Sequence, residues 1–253
     1  MTVPYSRNVR PTYENFVAEC PHCGASNTFN RASDLRTFQP IGLRTVKCQV
    51  CKRQFKINKD SANAAHQMLL FDCYAFIEQK QFIQCVLSVA QAYEFFFGHF
   101  LYVQLIYRAF ARDNSHDPQC LNHLEKRLYE RVQLLTFGPM RCLFLRLVVD
   151  NVAPASLADA KAAIDALPKG NVPLVPRQSI EGVSDDRLKA LLLRLHDADA
   201  DKLRNKVVHK DAYRPKADEA KRAHEQASEI LHELTHRLRL GYDVNWYIGE
   251  AGR

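Results

Sequence analysis

The chain has 253 residues, 47% of them hydrophobic and 25% charged, with nine glycines and 11 prolines. That is enough apolar material for a substantial core, and too little Gly and Pro for a collagen-like or disordered polymer. The formal net charge of +7 is uneven: residues 1–60 hold 10 Lys/Arg against four Asp/Glu, a net +6, while the remaining 193 hold 25 against 24, a net +1. Such asymmetry marks either a nucleic-acid-facing module joined to a nearly neutral body or the solvated surface of a small, core-poor domain.

Residues 1–15 read as an N-terminal tail without the continuous apolar stretch of a secretory signal, which points to a cytoplasmic protein. Residues 16–60 read as a small β module. Short strands at Phe16–Ala18, Thr28–Asn30, Thr45–Lys47 and Gln54–Ile57 flank two cysteine-bearing turns. Residues 61–253 switch to helical periodicity. The apolar run Phe82–Ile106 is long enough to suggest a membrane span, but it carries Gln84, Gln91, Glu94, His99 and Gln104. An acid near the centre of a span costs ~2.5–3.5 kcal/mol, so a buried helix is expected and no membrane partner.

After a loop at Asp113–Pro118, helices are expected over Leu121–Leu135 and Met140–Val149, broken at Gly138–Pro139. Ser156 with Asp159 resembles a capping box that opens a helix to Leu167. Pro168–Val183, with three prolines and two glycines, reads as a loop, and Ser184–Asp186 starts a helix through Leu195. Pro215 in a first turn, followed by Asp218 and Glu219, opens the last helix. Its apolar face is Ala220, Ala223, Ala227, Ile230, Leu231, Leu234 and Leu238, and Gly241 ends it. No internal repeat is visible. The expected fold is mainly α, a helical bundle preceded by a small β zinc ribbon.

Cys20-Pro-His-Cys23 and Cys48-Gln-Val-Cys51 are both C-x2-C turns. Each turn offers two thiolates from one bend, and two bends complete the four soft ligands of tetrahedral Zn2+. Disulfides are the alternative, favoured only in an oxidising compartment. With all four positions cysteine the shell is closed, so the expected Zn2+ is structural and supplies most of the folding energy of a core-poor module. Cys73, Cys85, Cys120 and Cys142 are scattered and read as small buried hydrophobes. His116, Cys120 and His123 straddle a loop and lack a fourth partner for a second site.

The segment Lys202-Leu203-Arg204-Asn205-Lys206-Val207-Val208-His209-Lys210 holds the chain's single Arg-x4–6-His spacing, just before the last helix. Over Asp199–Leu240, and more loosely around Ala90-Gln91-Ala92-Tyr93-Glu94, it resembles the HEPN family of helical ribonucleases and nucleotide-binding domains. The ribbon lies outside that family's core and reads as an added module. The resemblance implies a HEPN-like domain over 61–253 that cleaves RNA without a catalytic metal, as a homodimer with both motifs facing one cleft. Arg204 would hold the scissile phosphate, His209 would carry protons, and Asn205 would orient the phosphate or the histidine. Members with this motif often act as toxins or antiviral effectors, which implies a neutralising or regulatory protein partner.

The residue types suit that chemistry. A guanidinium offers a planar fork of permanent charge, and an imidazole exchanges protons near neutral pH. On a regular helix, however, five residues place Arg204 and His209 about 140° apart. Convergence therefore needs a helix end or a second chain. Glu94, alone among Phe and Tyr residues, is either a buried acid paired with a cation, for which Arg204 is the candidate, or a solvated helix position. The reading from a different class is a non-catalytic protein whose ribbon binds nucleic acid and whose helical body only dimerises.

Overall fold

The computed structural model describes residues 15–36, 43–58, 64–112, 118–168, 170, 172–210 and 213–240. The expected tail, most of the Asp113–Pro118 loop, His116 and the stop at Gly241 lie outside these residues. By contact density the chain divides into two compact units, Met1–Asn63 and Ala64–Arg253.

The first unit contains two antiparallel hairpins. Strands β1 (Asn15–Glu19) and β2 (Ser26–Asn30) pair with Glu19 opposite Ser26, and β3 (Leu43–Lys47) and β4 (Gln54–Asn58) pair with Lys47 opposite Gln54. The second hairpin repeats the first, 28 residues on, in the same register. Cys20 and Cys48 take equivalent places: the Cys20 N–H donates to Ala25 O and the Cys48 N–H to Arg53 O, both at 2.9 Å. Gly24 and Lys52 are also equivalent, and both are left-handed, with φ of 68° and 60°. The repeat that the sequence hides is thus a backbone repeat. The knuckle dictates the cysteines and the turn, and leaves most other side chains free to differ. Phe29, Leu35, Phe55 and Ile57 close over the buried Cys20 and Cys48. Leu35 arrives on a single π turn, Arg31–Leu35.

The second unit is helical, and its centre is α2 (Phe82–Tyr102). Around α2 pack α1 (Ala65–Glu78), α5 (Phe137–Val149), α9 (Ala200–His209) and α10 (Ala217–Arg237). The helices α3 (Arg108–Arg112), α4 (Pro118–Val132), α6 (Leu157–Asp165), α7 (Arg177–Glu181) and α8 (Asp186–His196) complete the unit. Tyr93, Phe96, Phe97 and Phe100 of α2 meet Phe137 and Phe144 of α5, with Phe100 and Phe144 edge to face at 4.7 Å. The apolar run is therefore the buried hub of the bundle. Among the described residues, no helix is long and apolar enough to cross a membrane.

Several boundaries differ from the sequence reading for local reasons. Gly138 and Pro139 lie inside the first turn of α5, where a missing N–H leaves no bond unmade. The break falls instead at Gln133–Thr136. The proline-rich loop contains α7, with Pro176 as its N-cap residue. Pro215 precedes α10, whose first turn is closed when the Lys216 N–H donates to Glu219 Oε2 at 2.8 Å. Helix α10 ends at Arg237, and Arg239 at φ 52° lets the Leu240 N–H reach Thr235 O at 2.9 Å. The Ser156–Asp159 capping box forms as expected.

Helix α2 runs into α3 through a π turn, Val103–Tyr107. The wide turn buries Gln104, whose Nε2 donates to Val152 O at 2.7 Å while its Oε1 accepts from Arg108. Arg108 also donates to Leu238 O at the end of α10.

His66 of α1 is buried against Phe96, 6.4 Å from His99 between ring centres, with its Nδ1 unpartnered. Burial, aided by the nearby His99, depresses His66 from 6.5 to about 3. Burial also lowers His99 and, on α10, His224. The unfolded chain takes up these protons at higher pH than the folded chain does. Stability is therefore full above about pH 6.5 and is lost as the pH falls toward about 3. The expected slope is about 1.4 kcal/mol per pH unit for one such site. Thermal melting across that window checks it, and His66→Leu should flatten the slope.

Candidate metal centre and candidate active site

The hairpin knuckles bring Cys20, Cys23, Cys48 and Cys51 together with all four sulfurs within 4.8 Å of one another. The Sγ–Sγ distances are 3.7 Å for Cys20–Cys51 and 3.7 Å for Cys23–Cys48. A disulfide would need about 2.05 Å, so these are free thiols. A tetrahedron with arms of about 2.3 Å has edges of about 3.8 Å, close to these two distances. Burial pushes the Cys48 thiol up, but N–H bonds from Cys51 and Val50, with the sulfurs of Cys51 and Cys20, outweigh it and bring Cys48 down to about 6. The residues fit a closed metal site of four thiolates.

Asn27, absent from the sequence reading, ties the knuckles together. It is fully buried; its amide donates to Ala25 O at 2.8 Å, and its Oδ1 accepts the Gln49 N–H at 2.7 Å. Two further bonds cross between hairpins, from Gln49 Nε2 to Thr28 O and from His22 Nε2 to Gln54 O. Among the described residues the four cysteines are the one metal-capable cluster. His123 is exposed, Cys120 is half-buried, and Cys73, Cys85 and Cys142 are buried.

In the second unit, α9 presents Ala200, Leu203 and Val207 to the core, a helical stripe that fixes its roll. Arg141 of α5 anchors its start, donating to Ala198 O and to Asp201 Oδ2, each at 3.1 Å. This fixes where the motif falls. Arg204 is half-buried and donates to Asn205 Oδ1 at 3.1 Å. Glu94 of α2 lies within Coulombic reach of Arg204, where the α5 backbone begins. Burial raises the Glu94 carboxyl, against the opposing pull of Arg204 and the Phe137 N–H.

His209 is the last residue of α9 and is exposed. One regular helix carries both Arg204 and His209, so a single chain joins Arg204 to Asn205 but turns His209 away. Around them stand exposed Lys202, Asn205, Lys206 and Lys210. Lys206 lies over the Tyr213 ring at 5.8 Å, and Tyr213 donates to Glu219 at 2.7 Å, tying the end of α9 to the start of α10. Arg141 and Tyr213 carry no local signal in the sequence, because their partners are set by packing. No family model, curated protein sequence or solved structure matches the chain.

Proposed function

We propose that the chain is a HEPN-type endoribonuclease that acts as a homodimer, with a structural Zn2+ held by Cys20, Cys23, Cys48 and Cys51. The observation that carries this reading is the placement of α9. It leaves Arg204 half-buried and bonded to Asn205, with its charge felt at Glu94 of α2, and leaves His209 exposed beside Lys210. The Arg204 guanidinium binds the scissile phosphate, and Asn205 and Glu94 set its direction. The 2′-hydroxyl attacks its own 3′-phosphate and gives up its proton to a base. The P–O5′ bond breaks, and the leaving oxygen takes a proton from an acid. The histidine serves as one of these two proton carriers.

Because Arg204 and His209 diverge by about 140° on one helix, the cleft takes the arginine of one copy and the histidine of another. Light scattering should show a dimer at micromolar concentration, and a monomer would count heavily against the reading. The deciding experiment is RNA incubated with the purified protein in excess EDTA. The four thiolates leave the metal no open position, so cleavage should persist. The products should carry 2′,3′-cyclic phosphate and 5′-hydroxyl ends, and DNA should survive. A toxin or antiviral effector, controlled by a neutralising protein partner, should arrest growth when expressed, and its His209→Ala form should not. The divergence of Arg204 and His209 within one chain also favours a second reading, a non-catalytic RNA-binding dimer. Binding without any cutting would establish that one instead.

A further inference from the structure

The two hairpins of the first unit share one backbone and differ in charge. Residues 15–30 contain no Lys or Arg, whereas 43–58 contain Arg44, Lys47, Lys52, Arg53 and Lys56 and no acid. All five side chains are exposed, and none forms an ion pair with a described residue. The register separates Arg44, which lies opposite the core-facing Ile57, from the others. Phe55 and Ile57 point into the core, so Lys56 and Gln54 face outward, and their cross-strand partners Thr45 and Lys47 share that outer face. Lys52 and Arg53 extend the same charge around the knuckle. At its tip Val50 is 66% exposed, an apolar surface between cations.

The fold does not need this pattern, because the first hairpin builds the same knuckle without it. Lys47, Lys52, Arg53 and Lys56, with no ion partner among the described residues, complement a chain of phosphates, and an apolar tip among them suits an unstacked base better than it suits a simple polyanion. Asn27, Gln49 and His22 hold the second hairpin against the first, so the surface is presented without an ordering cost.

We infer that the β3–β4 hairpin is the surface on which the first unit docks single-stranded RNA, and that the β1–β2 hairpin serves as its scaffold. The choice of RNA rests on the ribonuclease reading; the choice of hairpin does not. The test uses the full-length zinc-loaded protein and a poly-U oligoribonucleotide, with affinity measured as a function of salt. Each phosphate contact on a single strand contributes a slope of about −0.7 in log K against log salt. The combined Lys47→Gln, Arg53→Gln and Lys56→Gln variant should therefore flatten the slope by about 2 while keeping its zinc. Glu19→Gln with Ser26→Ala on the first hairpin should leave the slope unchanged. An unaltered slope in the triple variant overturns the inference whatever the protein cuts, and so does displacement of the RNA by polyglutamate at equal charge. Hairpin-dependent binding by a wild type that never cleaves RNA supports the inference and sinks the ribonuclease reading alone.

Discussion

His209→Ala should lower RNA cleavage by about 10²–10⁴-fold, the usual weight of a positioned proton carrier, and leave RNA binding intact. The side chain ends α9 in solvent and no core contact depends on it, so the fold should not respond. Arg204→Ala should behave differently. It removes the phosphate contact in ground and transition states alike, so affinity and rate should fall together. It also removes a positive charge that favours the ionised form of the half-buried Glu94, and a modest loss of melting temperature should accompany the change. Mixing inactive His209→Ala with inactive Arg204→Ala adds the decisive control. If one cleft draws Arg204 and His209 from different copies, heterodimers regain one complete site and part of the activity returns. Rate constants for the two variants and their mixture check all of this, and undiminished cleavage by His209→Ala would refute the assignment.

Cys48→Ser should unfold the first unit and spare the second. Binding of structural zinc to small domains is worth about 10–16 kcal/mol, far more than a cluster the size of Phe29, Leu35, Phe55 and Ile57 can supply. Cys48 is also the sulfur that receives the N–H bonds of Val50 and Cys51, so its loss removes a ligand and the order of its turn. Elemental analysis should fall from one zinc per chain to none. The strand resonances of 15–58 should collapse while the helical circular dichroism persists. A variant that keeps its zinc would sink the assignment, and loss of the helical signal as well would make the two units one cooperative body.

The strands were legible because cysteine pairs mark hairpin turns strongly: all four lie within two residues of their expected ends. The helical hub was legible from its apolar length. Helix ends were harder, since Arg239 takes a left-handed cap that glycine usually fills, and a proline can open a helix as well as break one. The four cysteines came together as their spacing demanded. The Arg-Asn-His segment shows why spacing is less informative on a helix: it fixes an angle, and the roll of that helix is set by Arg141 and the Leu203–Val207 stripe. Asn27 stayed hidden because a buried amide and an exposed one look alike in a sequence.

The π turn at Val103–Tyr107 acts as a phase shifter. A π turn carries one residue more than the α turn it replaces, which rotates everything after it by about 100°. That rotation brings Arg108 from the end of one long helix under the Leu238 carbonyl at the end of another. Deleting a single residue from 103–107 would restore uninterrupted α hydrogen bonding, locally a gain, and would swing Arg108 away from α10. The chain is thus tuned to an odd residue count at this point. Substitutions that keep length should be absorbed there far more readily than any insertion or deletion.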